Sequence, residues 1–419
     1  MPIATPTSRH TLVAGIPFRI VLVFAMALPM LVLYAVSTLG PLLSRDLRFE
    51  PASLGYLVMS SFGLAAILSL WAGAILDRIG SRYALIGLFS VIALAFALIA
   101  TAETFQGLVV ATALCGVAQA LANPVTNLLI AQQVPPEKRA KVVGLKQSGV
   151  QFAALFAGLV LPGIAFQYGW QAAFGVVVPV ALLFGLMTPF FTPMQPRQHC
   201  GTGKGFMLPL PNSLLLRLMG IQFCVGTSLS TFVTFLPTFA TRQGMPLSLA
   251  GTLIAVFGVM GMLSRIVLTP VGAKLKDESL LLLALIAIAA CTVAVTMQAS
   301  PESHWRLWAG AAGMGLTAVG TNAIAMSMLI RDPAFGPVAT ASGFVSFAFY
   351  GGFTLGPPLY GALSSYSGGL QWGWNTLIGV LLCACILSLA LASARRRKAQ
   401  VSAMTARAIR QTPAVDIQE

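Results

Sequence analysis

The chain has 419 residues, of which 57% are hydrophobic and only 9% charged, with a mean hydropathy of +0.86. A soluble protein of this size carries about 25% charged residues, so a soluble globular enzyme is excluded and an integral membrane protein is implied. The formal net charge of +14 suggests a nucleic-acid partner only until the positions of the charges are considered.

A spanning helix needs about 20 apolar residues. Twelve such stretches follow one another near 18–43, 53–76, 82–101, 106–134, 141–166, 171–192, 213–241, 249–273, 279–298, 305–330, 336–365 and 371–393. Runs this long and continuous are helices, because barrel strands would alternate over about ten residues. Of the 25 Lys and Arg, Arg45, Arg48, Arg242 and Arg306 fall in one set of loops. Lys146 and Arg265 fall inside spans, and the other 19 lie in the alternate loops and the two tails. The positive-inside rule therefore predicts cytoplasmic termini in a multi-pass cell-membrane protein. The run Arg395 to Lys398 reads as an anchor against anionic lipid, with no nucleic-acid role. The first apolar run is too long for a cleaved leader. Three scattered histidines and six cysteines, five of them within spans, offer no metal, cofactor or catalytic cluster.

The sequence repeats weakly at a shift of 199. GVAQALAN (116–123) resembles GLTAVGTN (315–322), Gly144 falls on Gly343, Gln147 on Ser346, and Gln151 on Tyr350. This predicts an all-α fold of two pseudo-symmetric six-helix bundles: residues 1–192, a cytoplasmic linker at 193–212, residues 213–393, and a basic tail at 394–419. Parallel repeats about an axis along the membrane normal are one plan of secondary transporters, with the site near the midplane between the halves. Spans three, six, nine and twelve are apolar almost all round and read as lipid-facing scaffold. Spans one, four, five, seven, ten and eleven carry polar stripes: Thr112, Gln119, Asn123 and Asn127 in span four, Gln147 and Gln151 in span five, Thr227, Thr231 and Thr234 in span seven, Ser342, Ser346, Tyr350 and Thr354 in span eleven. Tyr34 in span one and Asn322 in span ten extend the set. Such side chains either bond between helices or line a cavity.

The sharpest local pattern is GAILDRIGSR, between spans two and three. Gly73 and Gly80 permit close approach and a tight turn, Asp77 can accept from N–H groups or an arginine, and Arg78 and Arg82 fix the loop in the cytoplasm. Gly73, Asp77, Arg78, Gly80 and Arg82 resemble the G-x-x-x-D-R-x-G-x-R/K signature of the major facilitator superfamily, and the twelve spans and the repeat extend that resemblance over the whole chain. It implies a transporter with no enzymatic activity, a monomer, with these residues forming a latch between the halves. Asp77 would dock near the start of span eleven. The second-half copy is degenerate, with Lys276 and Asp277 at the corresponding place. Glu137 and Arg139, before span five, resemble the companion charge cluster. Thr112 stands where proton-driven drug exporters of this family often carry arginine, and span five lacks their G-P-x-x-G-G element. KQSGVQ with LPGIA and YGWQAAF is similar to the cyanate-permease-like anion transporters.

All eleven acids lie in loops, tails or span ends. Lys146 and Arg265 thus have no counter-charge within the membrane. Either Lys146 snorkels to the headgroups and Arg265 binds helix-end carbonyls, or the missing counter-charge is a small anionic cargo. Guanidinium suits a carboxylate and stays charged. The candidate solute site is Lys146, Arg265, Asn123, Gln147, Gln151, Gln119, Asn322, Ser346, Tyr350 and Tyr34. An anion transporter is the leading expectation, and an exporter of hydrophobic or drug-like compounds is the alternative. A counter-ion or proton as coupling partner is left open.

Overall fold

A computed structural model of the chain describes residues 15–192, 210–275, 277–336, 338–365 and 369–411. These fold into helices, without strands. In chain order they are α1 (Ile16–Asp46), α2 (Leu54–Ser69), α3 (Ala72–Ile79), α4 (Ser81–Ala100), α5 (Phe105–Gln133), α6 (Pro136–Leu159), α7 (Leu161–Gly175), α8 (Val177–Phe191), α9 (Ser213–Arg242), α10 (Leu247–Lys274), α11 (Glu278–Met297), α12 (Trp305–Arg331), α13 (Val338–Ser364) and α14 (Gly369–Gln411). Eleven segments of the described residues are long and apolar enough to cross a bilayer. With α13, which packs between α9 and α2, they make the twelve crossings.

Two crossings are jointed. Span two breaks at Leu70 and Trp71 into α2 and the short α3, which runs into Gly80. Span five continues from α6 through Pro162 into α7, and the chain reverses at Gly169, whose φ of 84° lies in the left-handed region that glycine alone enters without strain. Gly80, with φ 79°, likewise joins α3 to α4. The turn expected of Gly80 is present. Gly73, expected at a close helix approach, has open space where a Cβ would sit.

The packing is symmetric. In the first half α1 packs on α6, α2 on α5, and α4 on α5 and α8. In the second, α9 packs on α13, α10 on α12, and α11 on α12 and α14. Close backbone approach shows the same relation. Gly116 sits directly against the Ser61 carbonyl and beside Leu64 and Ala65. Gly315 sits against the Phe257 carbonyl, beside Met260 and Gly261. Both glycines obey the 199-residue shift, while their partners in spans two and eight obey one of 196. A side chain at either glycine would collide with a backbone that cannot rotate away, so the pair requires glycine.

Between the halves the contacts are α1 with α9, α2 with α13, and α6 with α10. The last two exchange under the repeat. They are closest near the face opposite the termini. Gly55 meets Pro357, Gly361 the Ala52 carbonyl, Gly63 the Thr354 methyl, and Gly158 the Ala255 amide and Gly251 carbonyl. Ser37 Oγ donates to the Val233 carbonyl across the same seam. The spans read as scaffold, α4 with α8 and α11 with α14, form outer pairs whose apolar side chains Leu94, Leu98, Leu186, Phe190, Ile288 and Ile386 are exposed to the surroundings of the bundle.

Candidate functional site

Lys146 lies ten residues into α6, roughly 15 Å from its start at the helical rise. Its side chain does not snorkel: it is 1% exposed. Nζ donates to Thr126 Oγ1 at 2.7 Å, Asn127 Oδ1 at 2.7 Å and Asn123 Oδ1 at 3.3 Å. These three residues stand at i, i+3 and i+4 on α5 and so share one face. An ammonium has three donors and no acceptor, and here all three donors are met by neutral oxygens. The hydrogen-bonding need is satisfied, and the charge is not balanced.

The network continues from there. Asn123 Oδ1 also accepts from Gln147 Nε2 at 3.0 Å. The other end of that amide faces the second half: Arg265 Nη1 donates to Gln147 Oε1 at 3.0 Å and to the Gln147 backbone carbonyl at 2.7 Å. That carbonyl is inside α6, not at a helix end. Arg265 Nε is buried with no hydrogen-bond partner. A continuous polar chain thus runs Lys146–Asn123–Gln147–Arg265, from span five through span four to span eight, bridging the halves. The ion pairs of the described residues, Arg45–Asp46, Arg331–Glu278, Arg395 with Asp277 and Asp332, and Arg396–Asp277, involve neither Lys146 nor Arg265.

The remaining candidates divide. Gln151, one turn from Gln147, is buried with Oε1 unpartnered, facing Gly261 of α10. Gln119 Nε2 donates to Tyr350 Oη at 3.4 Å, a second link between the halves, and approaches Met30 Sδ at 3.8 Å. Tyr34 is buried with its ring 6.2 Å from that of Phe257. Asn322 instead donates to Gln222 Oε1 at 3.3 Å within the second half, and Ser346 is half-buried without a side-chain hydrogen bond. The sequence reading missed Thr126 and Gln222. Thr126 was within reach, three residues from Asn123 on the same stripe. Gln222 sits in span seven before its run of Ser and Thr, and only the fold brings it to Asn322.

Of the residues read as a latch, the Asp77 and Glu137 side chains lie outside the described residues, as does Lys276. Arg139 donates to the Val134 and Ala131 carbonyls at 2.9 and 2.7 Å, closing the end of α5. Arg78 is exposed and Arg82 half-buried.

One expected outcome follows from the Lys146 cradle. Lys146→Leu takes the cation from three oxygens. Asn123 Oδ1 keeps the Gln147 amide and Thr126 keeps its bond to the Ala122 carbonyl. Only the exposed Asn127 oxygen loses its partner, and the net loss is expected near about 1–3 kcal/mol. Thermal unfolding in detergent checks this: Lys146→Gln, which restores a donor, should melt above Lys146→Leu.

Comparison with known proteins matches residues 22–334 to the family model described as Major Facilitator Superfamily. A "Hexuronate transporter" of Bacillus subtilis (strain 168) is 23% identical over 222 residues, 50% of this chain and 52% of the relative; the match spans about half of that relative's length. A "Multidrug resistance protein MdtG" of Citrobacter koseri is 27% identical over 404 residues, covering 91% of this chain and 93% of the relative. Among solved structures, a bacterial homolog of the human lysosomal transporter Spinster superposes in two forms. The inward-facing, unoccupied form gives a TM-score of 0.69 at 16% identity, covering 91% of this chain and 98% of that one. The inward-facing, occupied form gives 0.70 at 17%, covering 90% and 96%. At these identities the likeness is one of fold.

Proposed function

The chain belongs to the Major Facilitator Superfamily, and from that premise we propose that it carries a small anionic solute by alternating access at the Lys146–Arg265 centre. The membership makes it a membrane transporter of a small molecule rather than an enzyme. The observation that carries the finer reading is the unbalanced pair of cations, one from each half, Lys146 buried and Arg265 half-buried, joined through Asn123 and Gln147.

Two cations without a carboxylate in a low-dielectric interior are costly. An anion between them would remove that cost, and the unpartnered Arg265 Nε is a donor left for it. Because one cation belongs to each half, an anion that meets both would draw the halves together on binding. Binding would then be coupled to the rocking motion. The excess of Lys and Arg at the termini face supports cytoplasmic termini. With that orientation, the glycine seam lies at the outer face. The hexuronate-transporter match is consistent with a carboxylate cargo.

The second reading, export of hydrophobic or drug-like compounds, is favoured by the match to a multidrug resistance protein along 91% of the chain. A thermal-shift panel on the purified protein separates the two. It would hold hexuronates, cyanate, nitrate, short carboxylates and aromatic acids beside neutral and cationic drugs. A ligand at 100 times its Kd should stabilise by about 2.7 kcal/mol. Stabilisation by an anion, lost in Arg265→Gln, is expected. Stabilisation by neutral or cationic compounds alone, unchanged in that variant, would transfer the assignment to export.

A further inference from the structure

The termini face of the second half holds a cleft of about 480 Å³ between the start of α9, the loop after α12 and the end of the membrane part of α14. Arg217 and Arg397 project into its wall beside Asn212, Ser213 and Ser393. The arginines nearby are already engaged: Arg395 with Asp277 and Asp332, Arg396 with Asp277, Arg331 with Glu278. Those pairs consume the local carboxylates. Arg217 and Arg397 take part in no ion pair of the described residues; Arg217 Nη1 only donates to the Ala390 carbonyl at 3.3 Å. Helix α9 begins at Ser213, so its positive dipole end adds to the same wall.

What lies next to the cleft identifies its ligand. Ala390, Ser393 and Arg397 recur at helical spacing, and Ile386 and Leu389 precede them on the bilayer side, about 6–10 Å deeper than Ser393 at the helical rise. Ile386 is 67% exposed, Leu389 52%, and Leu216 on α9 58%. Large apolar side chains this open, on a helix of the outer ring, face acyl chains. A basic cleft therefore opens at the membrane surface directly above an apolar track.

We propose that this cleft binds the phosphate of an anionic phospholipid, with Arg217 and Arg397 on the phosphodiester and the acyl chains along Ile386 and Leu389. A soluble phosphate compound would satisfy the arginines but leave the apolar track unused. Basic pockets between helices at the membrane surface commonly hold such headgroups. A lipid here would tie α9 to α14, the two ends of the second bundle, without touching the central site. The inference is thus independent of what the protein carries.

Native mass spectrometry of the full-length protein, delipidated and titrated with phosphatidylglycerol, phosphatidylcholine or inorganic phosphate, tests it. The wild type should retain phosphatidylglycerol over phosphatidylcholine. Arg217→Gln/Arg397→Gln should bind it about 30-fold more weakly, at about fivefold per arginine. The charge-matched control Arg45→Gln/Arg48→Gln, on the opposite face, should bind as wild type. Ser393→Trp fills the cleft without removing charge and should also block retention, which keeps the test valid if the double arginine variant does not fold. Equal retention in wild type and Ser393→Trp would overturn the proposal. Competition by inorganic phosphate as effective as by the lipid would overturn the lipid assignment in favour of a soluble phosphate ligand.

Discussion

Arg265→Gln is expected to remove binding of the anionic solute almost completely while leaving the protein folded. The hydrogen bonds of Arg265 to the opposite half, among the described residues, go to the backbone carbonyl and side-chain oxygen of Gln147, and a glutamine amide can still donate to one of them. The folded state thus loses one or two hydrogen bonds, about 1–3 kcal/mol. The solute loses a desolvated, charge-assisted partner, worth about 2–5 kcal/mol, which is a fall in affinity of roughly 30- to 4,000-fold. Arg265→Lys should fall between, because the ammonium keeps the charge and gives up the fork that meets two oxygens at once. Isothermal titration with the anion found in the thermal-shift panel, alongside unfolding curves of each variant, measures both quantities. An Arg265→Gln protein that binds the anion within threefold of wild type would remove Arg265 from the site.

The second large effect is conformational. A Cβ at Gly158 would lie 2.5 Å from the Ala255 amide nitrogen and 2.6 Å from the Gly251 carbonyl. Both obstacles are backbone, so no side chain can swing aside. Gly158→Val therefore wedges α6 from α10 at the face opposite the termini, at a cost of about 1–3 kcal/mol or more. That cost falls on the state in which this face is sealed. If the two access states differ by only a few kcal/mol, the variant populates the other one. Thr38, whose methyl lies against Gly251, reports the change. In a cysteine-free background, Thr38→Cys should label slowly with an impermeant maleimide from that face, and at least tenfold faster when Gly158→Val is added. A lowered melting temperature with unchanged labelling would mean the seam is ordinary packing rather than a gate.

The number and limits of the spans were readable because apolar length is a direct consequence of bilayer thickness. The reversal at Gly169 falls in the gap read between the spans at 141–166 and 171–192. The joint in span two was not readable: Leu70–Trp71 carries no proline or glycine, and hydropathy averages over it. The repeat was visible in GVAQALAN and GLTAVGTN because the glycine of each meets a backbone, and sequence drift cannot replace it. Which spans face each other across the halves was hidden, since helical periodicity names a polar face but not its partner. For the same reason the stripe on span four was legible while its use was not. Asn123, Thr126 and Asn127 turn to Lys146 and hold it inside the protein; the length of a lysine side chain allows both that and snorkelling. Only the packing of α6 on its neighbours decides between them.

The two halves match in helix order, in packing and at Gly116 and Gly315, yet the cations do not obey the match. The shift of 199 sets Lys146 against Val345, and the shift of 196 sets Arg265 against Ser69. A centre built from equivalent cations would look the same after a half-turn about the pseudo-axis, and a two-ended solute could lodge in it either way round. Here one end of the centre is a compact ammonium fixed by three oxygens, and the other is a planar guanidinium with a free edge. Such a centre has a head and a tail. A lopsided solute is expected to enter in one orientation only, so exchanging its two ends should cost affinity even though the protein around it is nearly twofold.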